Sequence, residues 1–211
     1  MERCYGDLFQ LPLKHRKYFL NLMMDVVNGL EYISDQNKVH SDIKPGNILL
    51  KQNGDETWTA LIADFGLSSA AGGTPIFMAP EGLTNRQLGK TDIYSLGITM
   101  LVFVMELDLA LKFLYLPIRR KRVYARGCIE SLPIINTIRL MIAADPEDRP
   151  SFRGIRQQLE EISPTYTGRL IDKHGFTGNL SFLNPDEKDA ADAQLSVNLK
   201  NRKNMLQESQ G

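Results

Sequence analysis

The sequence predicts a mainly α fold, a helical bundle carrying short β-hairpins, and three observations predict it. Apolar residues recur at helical spacing through Phe19, Leu22, Met23, Val26, Val27, Leu30 and Ile33, which makes one long amphipathic helix with a core-facing stripe. A second apolar stretch over residues 94–105 stops at Glu106; it is too short to span a bilayer and reads as a buried core helix. Between the two, Asn53-Gly54-Asp55 separates apolar runs at 48–51 and 58–63, the turn signal of a hairpin.

Composition sets the frame. With 211 residues, 43% of them hydrophobic, the chain can bury a sizeable core and is most simply one domain with an extension. Its formal net charge is zero, so neither a nucleic acid nor a membrane surface is expected as the main partner. Cys4 and Cys128 make neither a disulfide framework nor metal-ligand spacing and are expected as reduced thiols of a cytoplasmic protein. Met1-Glu2-Arg3 is followed by no apolar run, so no secretory signal is expected there.

In chain order, the first helix starts near Tyr18, ends near Asp35-Gln36-Asn37 and feeds the polar loop of residues 39–50. That loop sets a carboxylate (Asp42), an ammonium (Lys44) and an amide (Asn47) on a turn closed by Pro45 and Gly46. The carboxylate can orient a hydroxyl and accept its proton, the ammonium can neutralise a moving phosphoryl group, and the amide oxygen can ligate magnesium. A short polar loop can also be only a turn. The hairpin follows, and its second strand delivers Asp64 to an edge, with Gly66 letting the backbone turn away. The hairpin thereby returns Asp64 beside Asn47, two oxygen ligands of the kind magnesium takes while sharing a nucleotide's phosphates.

Three further motifs come in sequence: Met78-Ala79-Pro80-Glu81, Asp92-Ile93-Tyr94-Ser95-Leu96-Gly97 and Asp145-Pro146-Glu147-Asp148-Arg149-Pro150. Asp92 opens the core helix. Residues 132–142 and 152–162 read as two more helices, separated by the 145–150 turn and the helix-starting Ser151. Beyond Ser163-Pro164 the composition turns polar, and residues 163–211 are expected as a mostly flexible tail, with Asn184-Pro185 a helix start for a lone helix to about Leu206.

Together, His40-Ser41-Asp42 with Lys44 and Asn47, Asp64-Phe65-Gly66, Met78-Ala79-Pro80-Glu81 and the two later motifs resemble the catalytic loop, magnesium loop and large-lobe landmarks of eukaryotic serine/threonine protein kinases. The resemblance covers residues 39–150 most specifically. It implies a kinase domain over residues 1–162, comprising hinge and large lobe. ATP and magnesium are the implied cofactors, and proteins bearing Ser or Thr acceptors the implied substrates. Asp42, Lys44 and Thr74 take the catalytic positions: Asp42 orients the hydroxyl, Lys44 steadies the phosphoryl group, and Thr74 hydrogen-bonds both. Asn47 and Asp64 take the metal positions. The opening residues 1–9 resemble the hinge, which would put Glu2 and Cys4 against adenine, Asp7 at the ribose and Leu49 under the adenine; Asp7 reads equally as a helix-capping residue. His40 is expected to pack behind Phe65 as a structural ring. Glu81 and Arg149 are expected to form a buried bidentate pair, and Asp92 to hold the catalytic loop from below.

Several features depart from the family. The arginine that would grip a loop phosphate is replaced by Ser41, and the segment between Asp64 and Glu81 is short, with Ser68 and Ser69 its hydroxyls. The two departures agree, because an activating phosphate orders a loop by pairing with arginine; this loop is expected not to be switched by phosphorylation. After Glu106 the match weakens, and Arg119-Arg120-Lys121-Arg122 reads as a solvated face, or as an attraction for acidic substrates or a nuclear transport receptor.

No Gly-x-Gly-x-x-Gly precedes the hinge-like opening, and no strand lysine reaches for the phosphates. The small lobe is therefore expected to be missing from this sequence. Three readings follow: part of a serine/threonine kinase; a non-catalytic module that binds kinase partners; or a small-molecule phosphotransferase, which shares the His-x-Asp-x-x-x-x-Asn loop. Ala79-Pro80-Glu81 and the 145–150 motif argue against the third, because they build a platform for protein substrates.

Overall fold

Helix α1, Phe19–Asp35, is the long helix that the apolar spacing predicts. Phe19, Leu22, Met23, Val26, Val27 and Leu30 on its stripe are all buried. It ends as helices commonly do, with a left-handed residue just past its last turn: Asn37 has φ 56°, and its N–H and that of Lys38 close onto the carbonyls of Ser34 and Ile33. The computed structural model describes residues 4–11, 17–54, 57–64, 74–82, 89–105 and 133–166. Glu2, Phe65 and Gly66, Ser68 and Ser69, Cys128, the basic run 119–122 and the expected helix from Asn184 to Leu206 lie outside the described residues.

Strand β1 (Gly6–Asp7) precedes α1, and β2 (Ile48–Gln52) and β3 (Trp58–Ile62) follow it. They form one antiparallel sheet in the order β1-β2-β3. The predicted hairpin is β2 and β3, with Leu50 opposite Ala60 and Leu49 opposite Leu61. Alternation along a strand fixes which residues face the core. Ile48 and Leu50 are fully buried, so Leu49, Leu61 and Asp7, which pairs with Leu49, share the opposite face. The outer edge of β3 is covered by α1, where the Asp25 carboxylate accepts the Ala60 N–H at 3.0 Å.

Helix α2, Lys90–Val104, is the apolar stretch of the sequence, and every residue from Thr91 to Val104 is buried. Its N-cap, Gly89, has φ 76°, a conformation glycine adopts without strain. Helix α3 (Ile134–Met141) packs on α2, and α4 (Phe152–Ile162) packs on α1. The close approach of α2 and α3 requires Gly97, where a Cβ would sit 2.8 Å from Ile142 Cγ2 and 2.9 Å from Met141 Cβ. Ser151 caps α4 by accepting the Gly154 N–H at 3.1 Å. Phe19 of α1 stacks on Phe103 of α2 at 4.2 Å between ring centroids, which joins the two halves of the core.

Among the described residues no helix is long and apolar enough to cross a membrane. The described residues continue a few positions past α4. Pro164 sits in a 3-10 turn, Ser163–Thr165, and Tyr166 packs against the core with its ring 6.4 Å from that of Phe19.

Candidate active site

The loop between α1 and β2 hangs from the first turn of α2. Asp92, almost fully buried, accepts the His40 N–H through Oδ2 at 2.8 Å and the Ser41 N–H through Oδ1 at 2.9 Å. This is the anchoring expected of Asp92. It holds Ser41 at φ 72°, a left-handed conformation that costs a non-glycine residue roughly 1–3 kcal/mol and persists only where the surroundings impose it. His40 is completely buried. Its Nε2 lies 2.9 Å from the Ala63 carbonyl, and its Nδ1 accepts the Asp42 N–H at 3.3 Å. The Nε2–H tautomer satisfies both ends at once, so the ring is a structural brace between the loop and the end of β3.

Asp42, Lys44, Thr74 and Asn47 converge at the centre. Lys44 Nζ donates to Asp42 Oδ2 at 2.7 Å and to Thr74 Oγ1 at 2.8 Å. Thr74 donates to Asp42 Oδ1 twice, from its backbone N–H and from its hydroxyl, each at 2.8 Å. Asn47 Nδ2 donates to the Asp42 carbonyl at 2.9 Å and to Oδ2 at 3.0 Å. Burial alone would raise the Asp42 pKa, but the hydrogen bonds from Lys44 and Thr74 and the Lys44 charge outweigh it and hold the carboxyl below its ordinary value. The group is a carboxylate at neutral pH, with two hydrogen bonds on each oxygen.

Asn47 closes a 3-10 turn, Pro45–Asn47, that leads directly into β2. With both Nδ2 hydrogens turned to Asp42, its Oδ1 is the atom left for a cation. Asp64 follows β3, and the Ala63 N–H donates to the Asn47 carbonyl at 2.9 Å, so the hairpin holds the two chain segments together as expected. Asp64 is exposed and has φ 64°, a second left-handed residue in the same region. The donor set, one amide oxygen and one exposed carboxylate, suits magnesium, which keeps much of its water and takes few protein ligands. Among the described residues no group of three His, Cys, Asp or Glu side chains forms a metal cage.

The remaining expected residues lie on or beside the sheet. The Tyr5 N–H donates to the Leu50 carbonyl at 2.7 Å, which lays the opening segment along β2. Cys4 is a half-buried free thiol. Asp7 is a cap: its Oδ1 accepts the Phe9 N–H at 2.9 Å, and Gln10 Oε1 accepts the Asp7 N–H at 3.1 Å, the reciprocal pair of a capping box. Leu49 is half-buried beside it.

Glu81 and Arg149 form the expected pair. Arg149 Nη1 and Nη2 reach Glu81 Oε1 and Oε2 at 2.5 and 2.9 Å. The remaining guanidinium N–H groups go to the carbonyls of Ala143, Lys90 and Ala144 at 3.0, 2.8 and 3.4 Å, so all five donors are used. Two supports were not read from the sequence: the Tyr94 ring, 5.0 Å from the guanidinium carbon, and Lys90, whose Nζ donates to the Arg149 carbonyl at 2.6 Å. Each partner lies more than fifty residues from Arg149, and no local pattern marks them.

Comparison with known proteins agrees with this geometry. The family model for the protein kinase domain matches residues 1–159. A protein of Acanthamoeba polyphaga mimivirus, provisionally named serine/threonine-protein kinase R436, is 33% identical over 185 residues, 78% of this chain and 62% of its own length. The Drosophila melanogaster membrane-associated tyrosine- and threonine-specific cdc2-inhibitory kinase is 31% identical over 72% of this chain and 31% of its own. The Caenorhabditis elegans calcium/calmodulin-dependent protein kinase kinase is 45% identical over 38% of this chain and 17% of its own. The chain thus spans less than two thirds of each of these relatives. With the Asp42 loop tied to α2 through Asp92, the Glu81–Arg149 pair formed and the family model matching most of its length, the chain belongs to the protein kinase domain family.

Proposed function

We propose that this chain carries the substrate-facing half of a serine/threonine protein kinase site, residues 1–162 forming hinge and large lobe, and that it transfers the γ-phosphoryl group of ATP to protein hydroxyls. The observation that carries this reading is the Asp42 network, in which Lys44 and Thr74 are bound to the carboxylate and to each other. Asp42 orients the acceptor hydroxyl and takes its proton as the oxygen attacks. Lys44, a quarter exposed beside it, neutralises charge on the transferring group. Asn47 Oδ1 and Asp64 would hold magnesium, which when bound offsets the phosphate charge. Leu49 would floor the adenine, Glu2 and Cys4 of the hinge-like opening would face it, and Asp7 would serve the ribose.

A lysine two residues after the catalytic carboxylate, with Thr74 bridging the two, supports a preference for Ser or Thr acceptors. The glycine-rich cover and strand lysine that this sequence does not match would come from a small lobe, in the same polypeptide or from a kinase partner. Ser41 at the arginine position supports control by something other than a phosphate on the short loop; activity that depends on phosphorylated Ser68 or Ser69 would overturn that.

Calorimetry of ATP binding with and without magnesium, with Asp64→Asn as control, tests the reading. Magnesium-dependent binding lost in the variant is expected. A folded chain that binds no ATP up to millimolar concentration would leave the residues idle, and the interaction-module reading would replace this one.

A further inference from the structure

A small cavity lies behind the catalytic loop, between it, the first turn of α2 and the segment at Met78 and Gly82. Ser41 and Thr91 line it, and Ser41 Oγ and Thr91 Oγ1 are both buried with no hydrogen-bond partner in the protein. A buried hydroxyl left unpaired costs roughly 1–3 kcal/mol, and native structures rarely tolerate two at one place. Thr91 is only 6% exposed, so bulk solvent does not serve it.

The size and chemistry of the space name the occupant. Its free volume of about 10 Å³ is close to that needed by one water molecule. Asp92 and Ser95 also line it. Ser95 donates its proton to the Thr91 carbonyl at 3.2 Å, which leaves its oxygen as an acceptor. A site with two hydroxyls, a carboxylate and one more acceptor offers the two to four partners a buried water requires.

We propose that this cavity is a structural water site, and that the water, bridging Ser41 Oγ and Thr91 Oγ1, makes both residues positioning residues for Asp42. Ser41 is the residue before Asp42. Its backbone N–H is pinned to Asp92, and its side-chain oxygen has no partner in the protein. The water supplies that partner and ties the turn to α2. In this way Ser41 uses its place on the loop for a contact that faces inward. The consequence for Asp42 rests on the kinase reading; the water site does not.

The test is a high-resolution crystal structure of the chain together with amide hydrogen exchange at Ser41 and Asp42, both independent of ATP. The wild type is expected to show an ordered water at the site. Thr91→Val, which keeps the shape and removes the hydroxyl, is expected to lose it and to exchange roughly three- to tenfold faster at both amides. Thr91→Ser, which restores the hydroxyl, is expected to restore both. Ser41→Ala retains the backbone contacts and gives a second route to the same loss should Thr91→Val fold poorly. No density in a wild-type crystal whose other buried waters are visible, or wild-type exchange in both hydroxyl-deleted variants, overturns the proposal. Failure of the kinase reading alone would leave density and exchange as predicted and abolish only ATP binding.

Discussion

Thr74 is bound to Asp42 twice through a single oxygen: its N–H and its hydroxyl both donate to Oδ1 at 2.8 Å. With Lys44 and Asn47 on Oδ2, the four acceptor positions of the carboxylate are filled. On the proposed kinase reading, an incoming hydroxyl reaches Asp42 by displacing a donor, and the network that holds the carboxylate also sets the cost of using it.

Thr74→Val removes the hydroxyl that links Asp42 to Lys44 while keeping the side-chain shape. Two charge-assisted bonds are lost, and only the part of their energy realised in the transition state shows in kcat. With a small lobe supplied, the proposed phosphoryl transfer is expected to fall roughly ten- to a hundredfold in kcat, with KM for ATP little changed, because neither lost bond touches the nucleotide. Thr74→Ser is expected to retain most of the rate. Initial rates for the three proteins decide it; an unchanged kcat in the valine variant would remove Thr74 from the site.

Asp42 and Asp25 shift in opposite directions and give opposite pH dependences. Burial raises the Asp25 pKa, and the single N–H of Ala60 only partly offsets it; Asp42, with its donors, is lowered. A lowered group stabilises the fold above its unfolded pKa and loses that stabilisation as pH falls through the folded value. A raised group does the reverse: its contribution is complete below the unfolded pKa and is lost as pH rises through the folded value. Asp25→Asn, which keeps an acceptor for Ala60, is expected to raise stability at neutral pH. Asp42→Asn is expected to flatten the loss of stability below about pH 4, the ordinary carboxylate range. Urea midpoints between pH 3 and 7 measure both.

Most of this arrangement is legible in the sequence because it is local. The α1 stripe, the hairpin and the 39–47 loop are each set by residues a few positions apart, and period or turn chemistry reports them. The long-range partners are legible only through the resemblance, as with Asp92 under His40 and Glu81 on Arg149. What neither route gives is the support added by packing: Lys90 on the Arg149 carbonyl, Tyr94 against its guanidinium, Asp25 on the β3 edge. Each joins residues that are ordinary in sequence and meet only once α2 has packed on the 145–150 turn or α1 on β3. Asp7 could be read as a ribose ligand or a cap because one carboxylate serves either purpose, and only the folded turn shows the capping box.

Arg149→Lys tests whether charge or donor geometry holds the platform. Lysine keeps the charge but brings three donors on a point centre where five in a planar fork are used. Glu81 loses its bidentate partner, and the carbonyls of Ala143, Lys90 and Ala144 are left short. Destabilisation of roughly 3 kcal/mol is expected, near that for breaking a buried pair outright. Denaturant unfolding reads it, and a cost below about 1 kcal/mol, the range of a surface pair, would show that charge alone suffices.

Asp92→Asn addresses the tie between the loop and α2. The aspartate gives one oxygen to each of two backbone N–H groups, on His40 and Ser41. Asparagine has one oxygen, and its amide nitrogen would face the other N–H as a second donor. The shape is kept, so core packing of α2 should survive. One buried N–H is left unpaired at a cost of roughly 1–3 kcal/mol, and the left-handed turn at Ser41 loses what imposes it. Amide exchange at His40 and Ser41 is therefore expected to accelerate by one to two orders of magnitude, in line with that cost, while the α1 amides stay protected. Uniform acceleration across both helices would mean that Asp92 supports the core as a whole; acceleration confined to the loop would mean that it acts on the position of Asp42.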